Sequence, residues 1–148
     1  MKKLVIIITG LFFIVFNLSA DSLDKKWFTD YKKAVTVAKE KNLPILALFT
    51  GSDWCPYCIK LEKEILTTTA FKEATDDKLV LLYLDFPQKK ELPAALVKQN
   101  KELKQKYHVQ GSPTVIILTA TGKEMGRIPG YVPPKSWFEW LDKIVKAK

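Results

Sequence analysis

The chain has 148 residues, which is room for one domain but not comfortably for two, and its formal net charge at pH 7 is +8. Lysines supply almost all of this excess and are spread along predicted helices, and Arg127 is the only arginine. A nucleic-acid-binding surface more often clusters its charge and uses arginine, so we expect no nucleic-acid partner. Weak attraction to an anionic membrane surface stays open.

The first 20 residues have the pattern of a secretory signal peptide. Two lysines precede an almost wholly apolar run over residues 4–16, and small or polar residues then lead to Ala20. We predict cleavage after Ala20 and one domain over residues 21–148. An uncleaved membrane anchor is the alternative, although the apolar run is shorter than the ~20 residues that a spanning helix needs. Either way we expect an exported protein, for example a periplasmic one.

Helices and strands alternate through the first half of the predicted domain. Ser22 or Asp24 can cap a first helix that runs to about residue 41, with apolar side chains at helical spacing. A continuous apolar run over 45–49 suits a strand buried on both faces. After a turn, a second helix begins near residue 55 and extends through residue 66, where three threonines break it.

The second half of the chain continues this alternation and ends in a hairpin and a helix. We predict a turn at 71–74, a strand at 79–84 and a helix ending near residue 107, then strands at 114–118 and 124–128 and a last helix. The order α-β-α-β-α-β-β-α implies both parallel and antiparallel strand pairing. The predicted fold class is therefore α/β, a mixed central sheet with helices on both faces.

The chain has two cysteines, Cys55 and Cys58, with only Pro56 and Tyr57 between them. A disulfide between them would stabilise the folded state only weakly, because the stabilisation by a disulfide grows with the length of the loop that it closes. A metal site takes about four ligands, and the only histidine, His108, is far away in sequence. Redox chemistry is the favoured interpretation, with a structural or metal-binding role as the alternative.

The position of the pair at the start of a helix predicts different roles for its members. Only a thiolate attacks a disulfide, and the unpaired N–H groups at a helix start stabilise a negative charge on Cys55. Cys58 lies one turn further in, so we expect it to be more covered. We predict that Cys55 is the nucleophile and that Cys58 resolves the mixed disulfide.

Glu62 follows Cys58 by four residues and Cys55 by seven, which places the three on one helix face. A carboxylate there can shuttle protons for Cys58 or raise the thiol pKa values. The alternative is an ordinary surface glutamate between Lys60 and Lys63.

Two motifs give the chain a family resemblance. Residues 53–58 (DWCPYC) and 107–114 (YHVQGSPT), in this order and each at a strand or helix end, resemble the thioredoxin superfamily. The resemblance implies a cis peptide bond before Pro113, packed against the cysteines, and pairing of the Ser112 backbone with an extended substrate. It also implies a substrate-binding set, which comprises Trp54, Pro56, Tyr57, Ser112 and Pro113.

Within this superfamily the chain is similar to the C-terminal domain of the membrane electron transporter DsbD and to small exported proteins of the DsbH type. In that group an acidic residue matches Glu62, which favours a functional role for it. Thioredoxins carry a buried carboxylate six residues before the first cysteine, whereas this chain has Phe49. Proton transfer would therefore fall to Glu62 or to water.

These observations predict an enzyme, a protein-disulfide oxidoreductase that reduces disulfides of exported proteins. We expect a monomer that needs no cofactor besides the Cys55–Cys58 disulfide. We also expect a membrane donor of the DsbD type to reduce this disulfide again after each reaction. Two alternatives remain: a disulfide-forming oxidant, and a thioredoxin-fold binding module or cytochrome-maturation adaptor. The sequence does not fix the reduction potential, which ranges from about −270 to −120 mV in this superfamily.

Overall fold

The structure is a computed structural model that describes residues 26–146, and it is built around one five-stranded sheet. A π-helical segment, Glu62–Leu66, directly continues the second α-helix. The other elements, in chain order, are β1 (Trp27–Phe28), α1 (Tyr31–Lys41), β2 (Ile45–Thr50), α2 (Pro56–Leu61), α3 (Thr69–Thr75), β3 (Val80–Asp85), α4 (Ala94–Lys106), β4 (Thr114–Leu118), β5 (Glu124–Pro129) and α5 (Pro134–Lys146).

The strands lie in the order β1-β3-β2-β4-β5. Strands β1 and β2 both pair with β3 in parallel, whereas β4 pairs with β2 and β5 in antiparallel fashion. The register places Thr50 beside Asp85 at the carboxyl ends of β2 and β3, and Phe49 beside Thr114 at the start of β4. The segments that follow β2 and β3 therefore lie close to the segment that precedes β4, at the same end of these three strands. The predicted α/β fold class is confirmed.

Two apolar cores lie on opposite faces of the sheet, because successive strand residues point to opposite faces. On one face, Leu48 packs with Leu61 of α2 and Trp137 of α5. On the other, Phe49 packs with Ala34 of α1 and Leu103 of α4. All residues of β2, β3 and β4 are buried, which explains why these strands show continuous rather than alternating apolar patterns.

The prediction for the start of the domain is wrong between residues 27 and 30. Trp27–Phe28 forms a short edge strand rather than a helical turn, with Trp27 stacked on Phe71. Helix α1 begins at Tyr31 because Asp30 caps it, its side chain accepting a hydrogen bond of 3.1 Å from Lys33 N. The predicted caps Ser22 and Asp24 lie outside the described residues, as does the predicted signal peptide over residues 1–20.

The region after the cysteines also differs from the prediction. The helix does end at residue 66, but its last five residues are π-helical. The predicted turn at 71–74 is a full helix, α3, because the Thr68 side chain caps it by accepting a hydrogen bond of 3.2 Å from Phe71 N. Within residues 26–146, no helix has the length and apolar character needed to cross a membrane.

Candidate active site

Cys55 and Cys58 form a disulfide where the turn after β2 enters α2. Their Cα atoms are 5.2 Å apart. Cys55 is the residue that caps α2, and its Sγ accepts a hydrogen bond of 3.2 Å from Cys58 N. Pro56 occupies the first helical position, where its missing N–H costs no hydrogen bond. The sequence therefore places both sulfurs on one side of the first helical turn, as their spacing predicted.

The two cysteines do not differ in exposure as the sequence suggested. Their exposed fractions are 4% for Cys55 and 3% for Cys58, so both are buried in the disulfide form. The expected difference in burial is therefore almost absent in the disulfide form: the loop before β4 contacts Cys55, and the turn after β2 contacts Cys58. What separates the two sulfurs is their set of neighbours.

The neighbour of Cys55 is the loop before β4. The Ser112 carbonyl oxygen lies 3.5 Å from Cys55 Sγ, and the Ser112–Pro113 peptide bond is cis. Pro113 is buried, and its carbonyl accepts a hydrogen bond of 2.7 Å from Gly130 N, which ties the loop to the end of β5. The carbonyl of Ser112 is thus held beside the Cys55 sulfur.

The neighbour of Cys58 is the turn after β2. Gly51 N donates a hydrogen bond of 3.4 Å to Cys58 Sγ, and the Gly51 carbonyl accepts one of 2.9 Å from Cys55 N. The indole of Trp54 lies directly against Gly51, and a Cβ at position 51 would overlap it, with Trp54 Cζ2 at 2.7 Å. Only glycine allows the indole to lie this close, so Gly51 is a site residue that the sequence analysis missed.

Aromatic and aliphatic side chains form an exposed rim around the disulfide. Tyr57 is 61% exposed and stacks on Tyr131 with ring centroids 6.2 Å apart. Trp54 is 41% exposed, and its Nε1 donates a hydrogen bond of 2.8 Å to the Phe86 carbonyl. Pro56 is also exposed. The predicted substrate-binding residues therefore surround one surface, with Trp54, Pro56 and Tyr57 on the helix side and Ser112 and Pro113 on the loop side.

Lys60 and Glu64, which carry opposite charges, both contact Tyr131 next to this rim. Lys60 Nζ lies 4.6 Å from the centre of the Tyr131 ring, and the Tyr131 hydroxyl donates a hydrogen bond to Glu64. That hydrogen bond raises the pKa of the Tyr131 hydroxyl. Lys60 and Glu64 are four residues apart along the helix, whereas only tertiary packing brings Tyr131 to them.

Glu62 lies one turn after Cys58, and its N–H donates to the Cys58 carbonyl. Its side chain is half-buried. Burial raises the pKa of the Glu62 carboxyl, the positive charge of Lys90 opposes this, and the negative charge of Asp85 adds to it. Glu62 thus has the helical position that the sequence predicted and a proton affinity above that of an ordinary surface glutamate.

A second carboxylate near the site was missed. Asp85 ends β3 and is 6% exposed, and its two oxygens accept hydrogen bonds from Ser52 N (3.0 Å) and Ser52 Oγ (2.6 Å). Lys90 Nζ lies 3.0 Å from Asp85 Oδ2. Burial, together with the charges of Asp85 and Glu62, raises the pKa of Tyr83. An aspartate directly after an apolar run reads as the start of a turn, so sequence alone gave no sign of its burial.

Metal coordination has no support in this region. Among residues 26–146, no three His, Cys, Asp or Glu side chains are grouped closely enough to hold a metal ion. A disulfide beside exposed aromatic side chains and the Ser112 carbonyl can instead exchange with a thiolate of another polypeptide, and once reduced the pair can exchange with a cystine.

The protein-family model named thioredoxin-like domain matches residues 31–144, which is most of the chain. The chain belongs to the thioredoxin-like domain family. Its β1 strand lies before the matched residues, and Cys55, Cys58, Ser112 and Pro113 lie within them.

Relatives of this thioredoxin-like protein carry Dsb names. It is 39% identical over 103 residues to the disulfide bond reductase DsbH of Chlamydia pneumoniae, covering 70% of this chain and 61% of that one. It is 30% identical over 118 residues to the thiol:disulfide interchange protein DsbD of Pasteurella multocida (strain Pm70), covering 78% of this chain and 19% of that one. The chain thus spans less than two thirds of either relative.

A solved structure of a DsbH oxidoreductase superposes with a TM-score of 0.75 at 32% identity, covering 82% of this chain and 85% of that one. The predicted likeness to DsbD and DsbH proteins is therefore confirmed. With the Cys55–Cys58 disulfide in place, the chain is similar to thiol–disulfide oxidoreductases of the Dsb type.

Proposed function

We propose that this thioredoxin-like protein works as a reductant of disulfides in exported proteins. The observation that carries the proposal is the Cys55–Cys58 disulfide, set under an exposed aromatic rim and against the Ser112 carbonyl. The reductase name of the 39%-identical relative supports the direction. The signal-peptide pattern of residues 1–20 supports an exported, for example periplasmic, location.

The two cysteines are the only residues of the protein whose covalent bonds change in the proposed reaction. In the reduced protein the Cys55 thiolate attacks one sulfur of a substrate cystine, and the other substrate sulfur leaves as a thiolate that takes up a proton. Cys58 then attacks Cys55 Sγ, the mixed disulfide breaks, and the second substrate thiol is released. The Cys55–Cys58 disulfide remains and must be reduced by a dithiol donor, for which we propose a membrane protein of the DsbD type.

The direction follows from how strongly the Cys55 thiolate is stabilised. A strong oxidant stabilises its reduced form through a thiolate of very low pKa. Here Cys55 Sγ accepts an N–H from Cys58, but no histidine stands between the cysteines to add a positive charge. The half-buried carboxylate of Glu62, seven residues after Cys55 on the same helix face, opposes a further negative charge. We therefore propose a potential nearer that of thioredoxin than that of DsbA.

The surface around the disulfide fits an extended polypeptide. We propose that the substrate backbone pairs with Ser112 beside the cis peptide bond, and that its side chains contact Trp54, Pro56 and Tyr57. These exposed side chains would lose contact with water on binding. The reacting unit is one thioredoxin-like domain, and we expect it to act as a monomer.

The equilibrium reduction potential, measured against glutathione, tests the direction. We expect a value well below about −150 mV, toward the reducing end of the range, and catalysis of insulin reduction when dithiothreitol is supplied. A potential above that value would identify an oxidant. Absent insulin reduction at a low potential would identify a binding module or cytochrome-maturation adaptor.

Trapping tests the roles of the two cysteines. Cys58→Ser should accumulate mixed disulfides through Cys55, whereas Cys55→Ser should trap few, and alkylation of the reduced protein at mildly acid pH should label Cys55 first. The oxidised protein buries both sulfurs to the same extent, so this test must use the reduced protein. Faster labelling of Cys58 would reverse the assignment.

A further inference from the structure

Asp85 is a buried carboxylate that takes part in no step of the proposed thiol–disulfide exchange. It ends β3 beside Thr50, the last residue of β2. Both of its oxygens are engaged by Ser52, one by the backbone N–H at 3.0 Å and one by the hydroxyl at 2.6 Å. A carboxylate is seldom this buried unless it is paired, and Lys90 at 3.0 Å supplies the pairing charge.

Ser52, which is hydrogen-bonded to Asp85, directly follows Gly51, which contacts Cys58 Sγ. Gly51 N donates to Cys58 Sγ at 3.4 Å, and Ser52 is the next residue in the chain. Glycine has wide backbone freedom, and the Gly51 carbonyl ties the turn to α2 by accepting from Cys55 N. The two hydrogen bonds from Ser52 to Asp85 fix the orientation of this turn against β3.

We propose that Asp85 is a positioning residue that holds the Gly51–Ser52 turn so that the Gly51 N–H stays directed at Cys58 Sγ. The proposal rests on the proposed function, because it concerns the step in which Cys58 resolves the mixed disulfide. In that step the Cys58 thiolate attacks Cys55 Sγ, the bond from Cys55 to the substrate sulfur breaks, and the substrate sulfur leaves as a thiolate. A fixed N–H donor stabilises the Cys58 thiolate before it attacks.

A purely electrostatic effect of Asp85 predicts the opposite result. Its negative charge would disfavour the Cys58 thiolate, as would that of Glu62, whereas Lys90 would favour it. Tyr83, which lies on the same sheet face, adds no charge at working pH, since a tyrosine is neutral there and burial raises its pKa further. Removing the charge of Asp85 would then make Cys58 more acidic, whereas loosening the turn would make it less acidic.

Two variants separate these explanations. Asp85→Asn leaves one oxygen to accept from Ser52 N but removes the charge and the acceptor for the Ser52 hydroxyl. Ser52→Ala removes the hydroxyl contact and leaves the charge in place. Asp30→Asn is the matched control, because Asp30 also accepts from a backbone N–H, at 3.1 Å, but caps the remote helix α1.

The first measurement is the titration of Cys58 by thiolate absorbance, with Cys55 replaced by alanine in every variant. Positioning predicts that Asp85→Asn raises the Cys58 pKa by about one unit, and that Ser52→Ala raises it in the same direction by less. Asp30→Asn should change nothing. A lowered pKa in Asp85→Asn with no change in Ser52→Ala would overturn the proposal in favour of a charge effect.

The second measurement is the two-step release of thionitrobenzoate from Ellman's reagent, with both cysteines present. Cys55 causes the first release and Cys58, by resolving the mixed disulfide, the second. A pKa rise of one unit cuts the thiolate fraction tenfold but increases its nucleophilicity, so the second step should slow about threefold below that pKa. The first step should stay within about twofold, since Cys55 contacts a different loop.

Equal slowing of both steps, or of neither, would overturn the positioning role. If Asp85→Asn does not fold, Ser52→Ala decides the question alone. Insulin reduction by the wild-type protein is measured in parallel. A wild-type protein that fails to reduce insulin contradicts the proposed function, whereas normal wild-type activity with unaffected variants contradicts only the role of Asp85.

Discussion

Replacing Gly51 by alanine tests how the turn after β2 and the indole of Trp54 fit together. The added methyl would overlap the ring, with Trp54 Cζ2 at 2.7 Å. The backbone itself does not exclude alanine, because the positive φ angles among the described glycines belong to Gly122 and Gly130. The whole cost should therefore arise from displacing the indole.

The size of this cost follows from what the indole loses. Its Nε1 donates to the Phe86 carbonyl at 2.8 Å, and such a bond contributes about 0.5–1.5 kcal/mol. Partial loss of the ring's apolar contacts adds to this, and overpacking substitutions typically cost about 1–3 kcal/mol. We expect Gly51→Ala to lower the free energy of unfolding of the oxidised protein by about 1–3 kcal/mol.

Urea unfolding followed by far-ultraviolet circular dichroism measures this free energy. A double-mutant cycle isolates the contact: Gly51→Ala should cost almost nothing when Trp54 is already alanine. Gly111→Ala is the matched control, because a Cβ there meets nothing within 4 Å, and it should be neutral or slightly stabilising. An unchanged stability of Gly51→Ala, or the same loss in both Trp54 backgrounds, would refute the reasoning.

Two further predictions concern carboxylates with perturbed pKa values. Asp53 accepts three backbone N–H groups from residues 88–90, and the hydrogen bond from Gln88 is the main cause that lowers its pKa. Its contribution is complete above the unfolded pKa of about 3.9 and is lost as pH falls through the lower folded pKa, so Asp53→Asn should destabilise at pH 7 and the difference from wild type should narrow progressively at acid pH. A destabilisation independent of pH in urea unfolding would contradict this. The Glu62 pKa is instead raised by burial, so the charged form is disfavoured in the folded state, and Glu62→Gln should gain stability relative to wild type as pH rises from about 4 to 7. We also expect Glu62→Gln to change the pH dependence of Cys58 reactivity while the fold stays intact, and an unchanged pH–rate profile would contradict a role for Glu62 in proton transfer.

Much of the fold could be read from the sequence because it depends on local patterns. The continuous apolar runs of β2, β3 and β4 are confirmed as buried strands, and Pro56 in the first turn of α2 marks the helix start. The strand at Trp27 could not be read, because two residues carry no detectable period and form a strand only by pairing with Leu81 and Leu82. The π-helical geometry of Glu62–Leu66 was likewise not predicted, since the apolar pattern of the segment was read as ordinary α-helix.

The sequence by itself determined the chemistry: the spacing of Cys55 and Cys58 at a helix start decides that two sulfurs can meet and exchange. Tertiary structure decided the environment of each sulfur, since Gly51 and Ser112 are brought to them by the sheet. It also decided that Asp85 is buried, because its neighbour in space, Ser52, is 33 residues away in the chain. Local spacing is fixed by the helix itself, whereas such contacts exist only after β2, β3 and β4 have paired.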